Sequence, residues 1–152
     1  MKRSSRIIDG LGVLCLFLMS ASIQAHTWSG RLSSASDSLA SYSVACYNDG
    51  NGETDRLFFD VQGKTAAAVY KIQISAQKKM ANGEIITAGP VVDQDNTDTR
   101  PSPPSALYGG NGTYILNIAK IPRQPGGSTT GPMVFSFDFH CETASGAHTG
   151  TQ

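Results

Sequence analysis

The side chains of this sequence best suited to hold a transition metal are its three histidines, His26, His140 and His148. His26 follows a run of small residues, SASIQA at 20–25. Cleavage after Ala25 would make it the first residue, with an α-amine and an imidazole on one residue. Nitrogen donors in a planar arrangement suit Cu(II). Asp138 and His140 stand two apart in MVFSFDFHC. On a strand that spacing puts them on one face, about 6–7 Å apart, while Phe137, Phe139 and Cys141 take the other. If the first strand lies beside the last, His26, Asp138 and His140 supply an amine, two imidazoles and a carboxylate, which is a copper site. The plain alternative is a surface histidine on a strand and a histidine that follows a cleavage point by accident. His148 lies in a polar segment, ASGAHTGTQ, and falls outside the set.

Hard oxygen donors cluster elsewhere. Asp93, Asp95 and Asp98, with Asn96, form the run DQDNTD, and carboxylates in a loop suit calcium. A second run holds Asp49, Asn51, Glu53 and Asp55. Neither is an EF-hand: Thr97 stands at the fifth position of the first run, and Asp98 stands where that loop requires glycine. Asp and Asn also make turns by bonding their own backbone, which is the competing reading. The sequence has no G-x-S-x-G, H-E-x-x-H, P-loop or C-x-x-C motif, so it reads as a binding protein rather than a catalyst. Trp28, Tyr47, Phe58 and Tyr108 are candidates for a surface that binds polysaccharide or a partner protein. Asn111-Gly-Thr113 is a formal glycosylation sequon that reads as a turn.

These residues need an address and a scaffold. Residues 1–25 read as a secretory signal peptide: Lys2, Arg3 and Arg6 lead, and an apolar run (LGVLCLFLM, 11–19) follows that is too short to span a bilayer. The expected location is periplasmic or extracellular, with no membrane span in the mature chain. The whole chain carries 12 basic and 12 acidic residues. Losing three bases and Asp9 with the leader leaves a formal charge of −2, which gives no support for nucleic-acid binding. Export also removes Cys15. The remaining pair, Cys46 and Cys141, is then expected as a disulfide. A loop of that length corresponds to about 4–5 kcal/mol in the chain-entropy account.

The mature chain, 26–152, reads as one all-β domain. Period-two alternation marks strands near 40–47, 57–61, 70–75, 114–118 and 133–141, with a weaker one at 28–34. Residues 85–92 are apolar but broken by Gly89-Pro90, which suits an edge or a bulge. Asn82-Gly83 is a hairpin signal of the primed-turn kind. Residues 93–108 and 122–132 read as long loops, and 143–152 as a mobile tail. About seven strands with turns between them predict an antiparallel β-sandwich, with a partly open barrel as the rival.

The Ser/Ala-rich opening before Tyr42, the acidic loop at Asp93, the step GGNGTY at 109–114 and the final aromatic strand resemble bacterial pre-peptidase C-terminal domains. Those are secreted β-sandwiches appended to enzymes, so the resemblance implies fold and an accessory binding or export role. This chain departs from them in lacking a catalytic domain and in adding a cystine. His26 with Asp138 and His140 resembles the copper site of CopC-type periplasmic carriers. A mature N-terminal histidine also resembles the copper brace of lytic polysaccharide monooxygenases, although the mature chain is small for their flat substrate face. The expectation is thus an exported binding protein holding copper. Its alternatives are an interaction module for polysaccharide or protein, and a subunit of a surface assembly.

Overall fold

Alternating side chains along most of the chain give strands with one apolar face, and those faces close around a single interior. The computed structural model describes residues 25–66, 69–96 and 99–152. The expected leader up to residue 24 lies outside the described residues, as does Asp98. Nine strands follow in order: β1 (His26–Leu32), β2 (Leu39–Tyr47), β3 (Arg56–Gly63), β4 (Tyr70–Lys79), β5 (Ile85–Asp93), β6 (Ser105–Tyr108), β7 (Gly112–Pro122), β8 (Met133–Glu142) and β9 (His148–Thr151). Among the described residues there is no helix.

All pairings are antiparallel, and the strands run β5-β4-β7-β2-β9-β8-β3-β6, with β1 added to β8. The sheet curls until β5 approaches β6, so the chain is a nearly closed nine-stranded barrel. The seven-strand expectation missed β6 and β9. Both are four residues long and polar (SALY and HTGT), too short to show a period. β9 matters most, because it pairs with β8 on one side and β2 on the other and joins the two halves of the sheet.

The interior is built from the inward positions of every long strand: Phe59, Ile72, Tyr114, Leu116, Phe135, Phe137 and Phe139 are all essentially buried. Each such side chain contributes about 1.5–3 kcal/mol on leaving water. The expected disulfide is present. Cys46 and Cys141 are joined across 95 positions, with Cα atoms 5.7 Å apart. The bond ties β2 to β8 beneath β9.

A buried lysine caps the core at each end. β4 reads Tyr70, Ile72, Ile74, Ala76, Lys78 on its inner face, and β7 reads Tyr114, Leu116, Ile118, Lys120. Because the strands run antiparallel, Lys78 meets the Tyr114 ring at 4.4 Å and Lys120 meets the Tyr70 ring at 5.2 Å. Lys78 Nζ donates to the carbonyls of Gly109, Gly110 and Asn111 at 2.6–2.9 Å. Lys120 Nζ donates to those of Ser33, Ala35 and Gly131 at 2.7–2.8 Å. Three acceptors and a ring face replace the water each ammonium gives up. Burial still draws both lysines below their ordinary pKa.

The Asn82-Gly83 hairpin forms with a longer loop than a two-residue primed turn. Gly83 N donates to Met80 O, Met80 N donates to Glu84 O, and Gly83 takes a φ of 88°. That is a type I turn closed by a glycine bulge. The β8–β9 hairpin repeats it, with Gly146 N donating to Thr143 O and Thr143 N to Ala147 O. The segment expected as a mobile tail is this turn and β9.

Candidate metal centre

Along β8 the odd positions from Phe135 to Cys141 face the core, so Asp138, His140 and Glu142 face outward. Register then decides what each outward residue meets. Glu142 lies opposite Arg56 on β3 and His148 on β9, and His140 lies opposite Phe58. The result is one group: His140, Glu142 and His148 each offer a ligand atom, all within 4.8 Å of one another.

Glu142 is the centre of the group, and its side chain is only 12% exposed. Oε2 accepts from Arg56 Nε at 3.1 Å and Nη2 at 2.9 Å. Oε1 lies 2.8 Å from His140 Nε2 and 4.0 Å from His148 Nε2. Arg56 therefore fixes the carboxylate with one oxygen and leaves the other to the imidazoles. The carboxylate raises the guanidinium pKa further. The rings are ordered by stacking, since Phe58 lies on His140 at 5.4 Å and His140 on His148 at 4.4 Å, each pair close to parallel. Two imidazoles and a carboxylate suit copper, zinc or iron. The nitrogen and oxygen ligands of a small ion lie about 3–4 Å apart, so to hold one His140 and Glu142, now 2.8 Å apart, would part slightly and His148 would close in. Parallel rings cannot both contain the ion in their planes, so ligation by both would require one ring to turn out of the stack.

The three residues expected at a copper site are not brought together. The first strand does lie beside the closing one, and His26 pairs with Phe139. Directly opposed residues share a face, so His26 takes the face of Phe139 and stacks on its ring at 5.6 Å. His140 and Asp138 point the other way. Asp138 instead faces Asp60 and Thr27 across its two ladders. Its Oδ1 is buried with no hydrogen-bond partner. Asp60 is pushed up to about 6, first by burial and then by the Asp138 charge, with the Asp138 backbone N–H opposing.

The acidic loop holds its own chain. Asp93 is buried, and its Oδ2 accepts from Gly63 N at 2.7 Å while Oδ1 accepts from Asp95 N at 3.2 Å. Asn96 Nδ2 donates to Tyr70 O. These bonds are those of a turn that fastens β5 to β3. Of the candidate aromatics, Phe58 and Tyr108 both lie against the Arg56 guanidinium, at 5.0 and 5.6 Å, and Phe58 also enters the ring stack, while Trp28 packs apart from them, against Phe137 and Phe139. Asn111 of the sequon accepts from Thr54 N and donates to Glu53, so its amide is part of the loop.

Glu142 and His148 are additions to the sequence reading. The alternation that turned His140 outward also turned Glu142 outward. Ser145-Gly146 carried a turn signal like that of Asn82-Gly83, which returns the chain along β8 and brings His148 back. No protein-family model and no curated protein matches the chain.

Proposed function

We propose that this chain is an exported binding protein that holds a transition-metal ion, copper(II) foremost, through His140, Glu142 and His148. The observation that carries the reading is the convergence of two imidazoles and one carboxylate oxygen from β8 and β9, with Arg56 securing the carboxylate from behind. Copper is placed first because imidazole donors suit it and the divalent series binds it most tightly. The leader-like start and the Cys46–Cys141 bond favour an oxidising compartment, where disulfides persist. The test is calorimetric titration of the processed protein with Cu(II) and Zn(II), beside His148→Ala and His26→Ala. One equivalent is expected to bind, weakened about tenfold or more by His148→Ala and little changed by His26→Ala. Equal binding by wild type and His148→Ala would reject the site.

A further inference from the structure

We propose that the seam between β1 and β2 is a strand-acceptor site, filled by one extended, uncharged segment of another polypeptide. The proposal is independent of the metal reading.

β1 and β9 add to the same side of β8, and β9 continues to β2. β1 and β2 therefore face each other beyond the end of β9, yet they form no ladder with one another. Backbone direction can be assigned on both walls. Val134 O and Glu142 O accept from the β3 side, so the odd residues of β8 direct their backbone groups to β1. On β1 the residues opposite them are bonded, which turns the N–H and C=O of Thr27, Ser29 and Arg31 into the seam. On β2, Ala45 exchanges both its bonds with Gln152. By the same alternation Ser43, Ser41 and Leu39 present theirs to the seam. The ladder that β9 begins on β2 thus leaves an edge in line with it, ready to be continued.

The seam is one strand wide. Tyr42 reaches across it, and a Cβ at Gly30 would lie 2.5 Å from the Tyr42 hydroxyl. At that contact the two backbones lie no more than about 10 Å apart, which admits the ~9.5 Å that two ladder spacings require. Its floor is aromatic: Trp28 meets Tyr42 at 5.9 Å and remains 42% exposed. Its rim is Thr27, Ser29, Ser41 and Ser43, all exposed and neutral, with Arg31 alone charged at one end.

The opposite opening of the barrel shows what a protected edge looks like here. β5 is bulged at Gly89-Pro90, two residues set against Ser75 of β4, and β6 is four residues long behind Pro101, Pro103 and Pro104. Prolines, bulges and short strands are the devices that stop strands from adding to an edge. β1 and β2 have no proline and no bulge. A neutral rim over an apolar floor selects an incoming strand with apolar residues at alternate positions and without charge. Main-chain bonds to two edges hold it, as in recognition by strand addition.

Trp28 is the only tryptophan of the chain and reports the site directly. The probe is a capped heptapeptide alternating threonine and valine, with a version carrying a central proline as control. The expected result is a saturable blue shift of Trp28 emission with the first peptide and none with the second. Ser29→Pro removes one seam-facing N–H without touching the β8 ladder and should weaken binding about fivefold to tenfold. Ser43→Lys, which changes only the rim, should weaken it as well. An emission spectrum unchanged up to millimolar peptide overturns the proposal, as does equal binding by both variants. A blue shift that follows protein concentration without peptide, together with dimer in sedimentation, assigns the seam to a second copy and overturns the assignment to a separate polypeptide.

Discussion

The imidazoles of His140 and His148 lie 4.4 Å apart and 8° from parallel, on strands that meet only at the last two residues of β8. With Glu142 Oε1 beside both, the pair is arranged as two donors held at rest against each other. Binding an ion must break the stack, because each nitrogen lone pair lies in its own ring plane. Zn(II), which is diamagnetic, should therefore shift the ring-proton resonances of His140, His148 and Phe58 together in NMR spectra. Unchanged ring shifts at saturating zinc would show that the ion binds elsewhere.

The two carboxylates across β3 and β8 predict a pH dependence. Asp60 titrates near 6 in the folded chain, against 3.8 ordinarily, because it is half buried beside Asp138. The folded state holds this proton more tightly than the unfolded one. Its contribution to stability is therefore complete below about pH 4 and lost as pH rises through about 6. Asp60→Asn should match wild type near pH 4 and exceed it at pH 8 by about 1 kcal/mol, allowing for screening of the exposed part. Urea denaturation at the two pH values measures this.

The lysine caps predict a cost at either end of the core. Lys78→Met keeps the apolar stem and removes the ammonium, leaving the carbonyls of Gly109, Gly110 and Asn111 without their donor. A loss of about 2–4 kcal/mol is expected, with a similar loss for Lys120→Met. Guanidinium unfolding curves measure each, and a loss below 1 kcal/mol would show that water replaces the ammonium there.

The disulfide predicts a local effect besides a global one. Cys46 and Cys141 pair in register with Thr151 and Thr149, so the bond closes β2 and β8 around β9. Replacing both by alanine should cost about 2–5 kcal/mol in unfolding. Hydrogen exchange should rise first at β9 amides, ahead of β4 and β7. Uniform acceleration would contradict a clamping role.

Much of the fold could be read from residue alternation. Tyr70 to Lys78 and Phe135 to Cys141 declare their inner faces, and the cysteine pair declares that β2 and β8 come together. Two things could not be read that way. β6 and β9 are too short and polar to carry a period, so their existence depends on partners distant in sequence. The copper set failed on a point of parity. Adjacency of β1 and β8 was only a condition of that set; the condition is met, but register puts His26 opposite Phe139 rather than opposite His140. A shift of one residue in register exchanges the faces of a whole strand. No local pattern in the sequence fixes that register.

The most direct test of the metal assignment is electron paramagnetic resonance of the processed protein loaded with one equivalent of Cu(II). Hyperfine coupling to two imidazole nitrogens is the expected result, falling to one in His148→Ala and unchanged in His26→Ala. A spectrum that keeps its nitrogen couplings in His148→Ala and loses them in His26→Ala would contradict the account and return the ion to the amino-terminal strand.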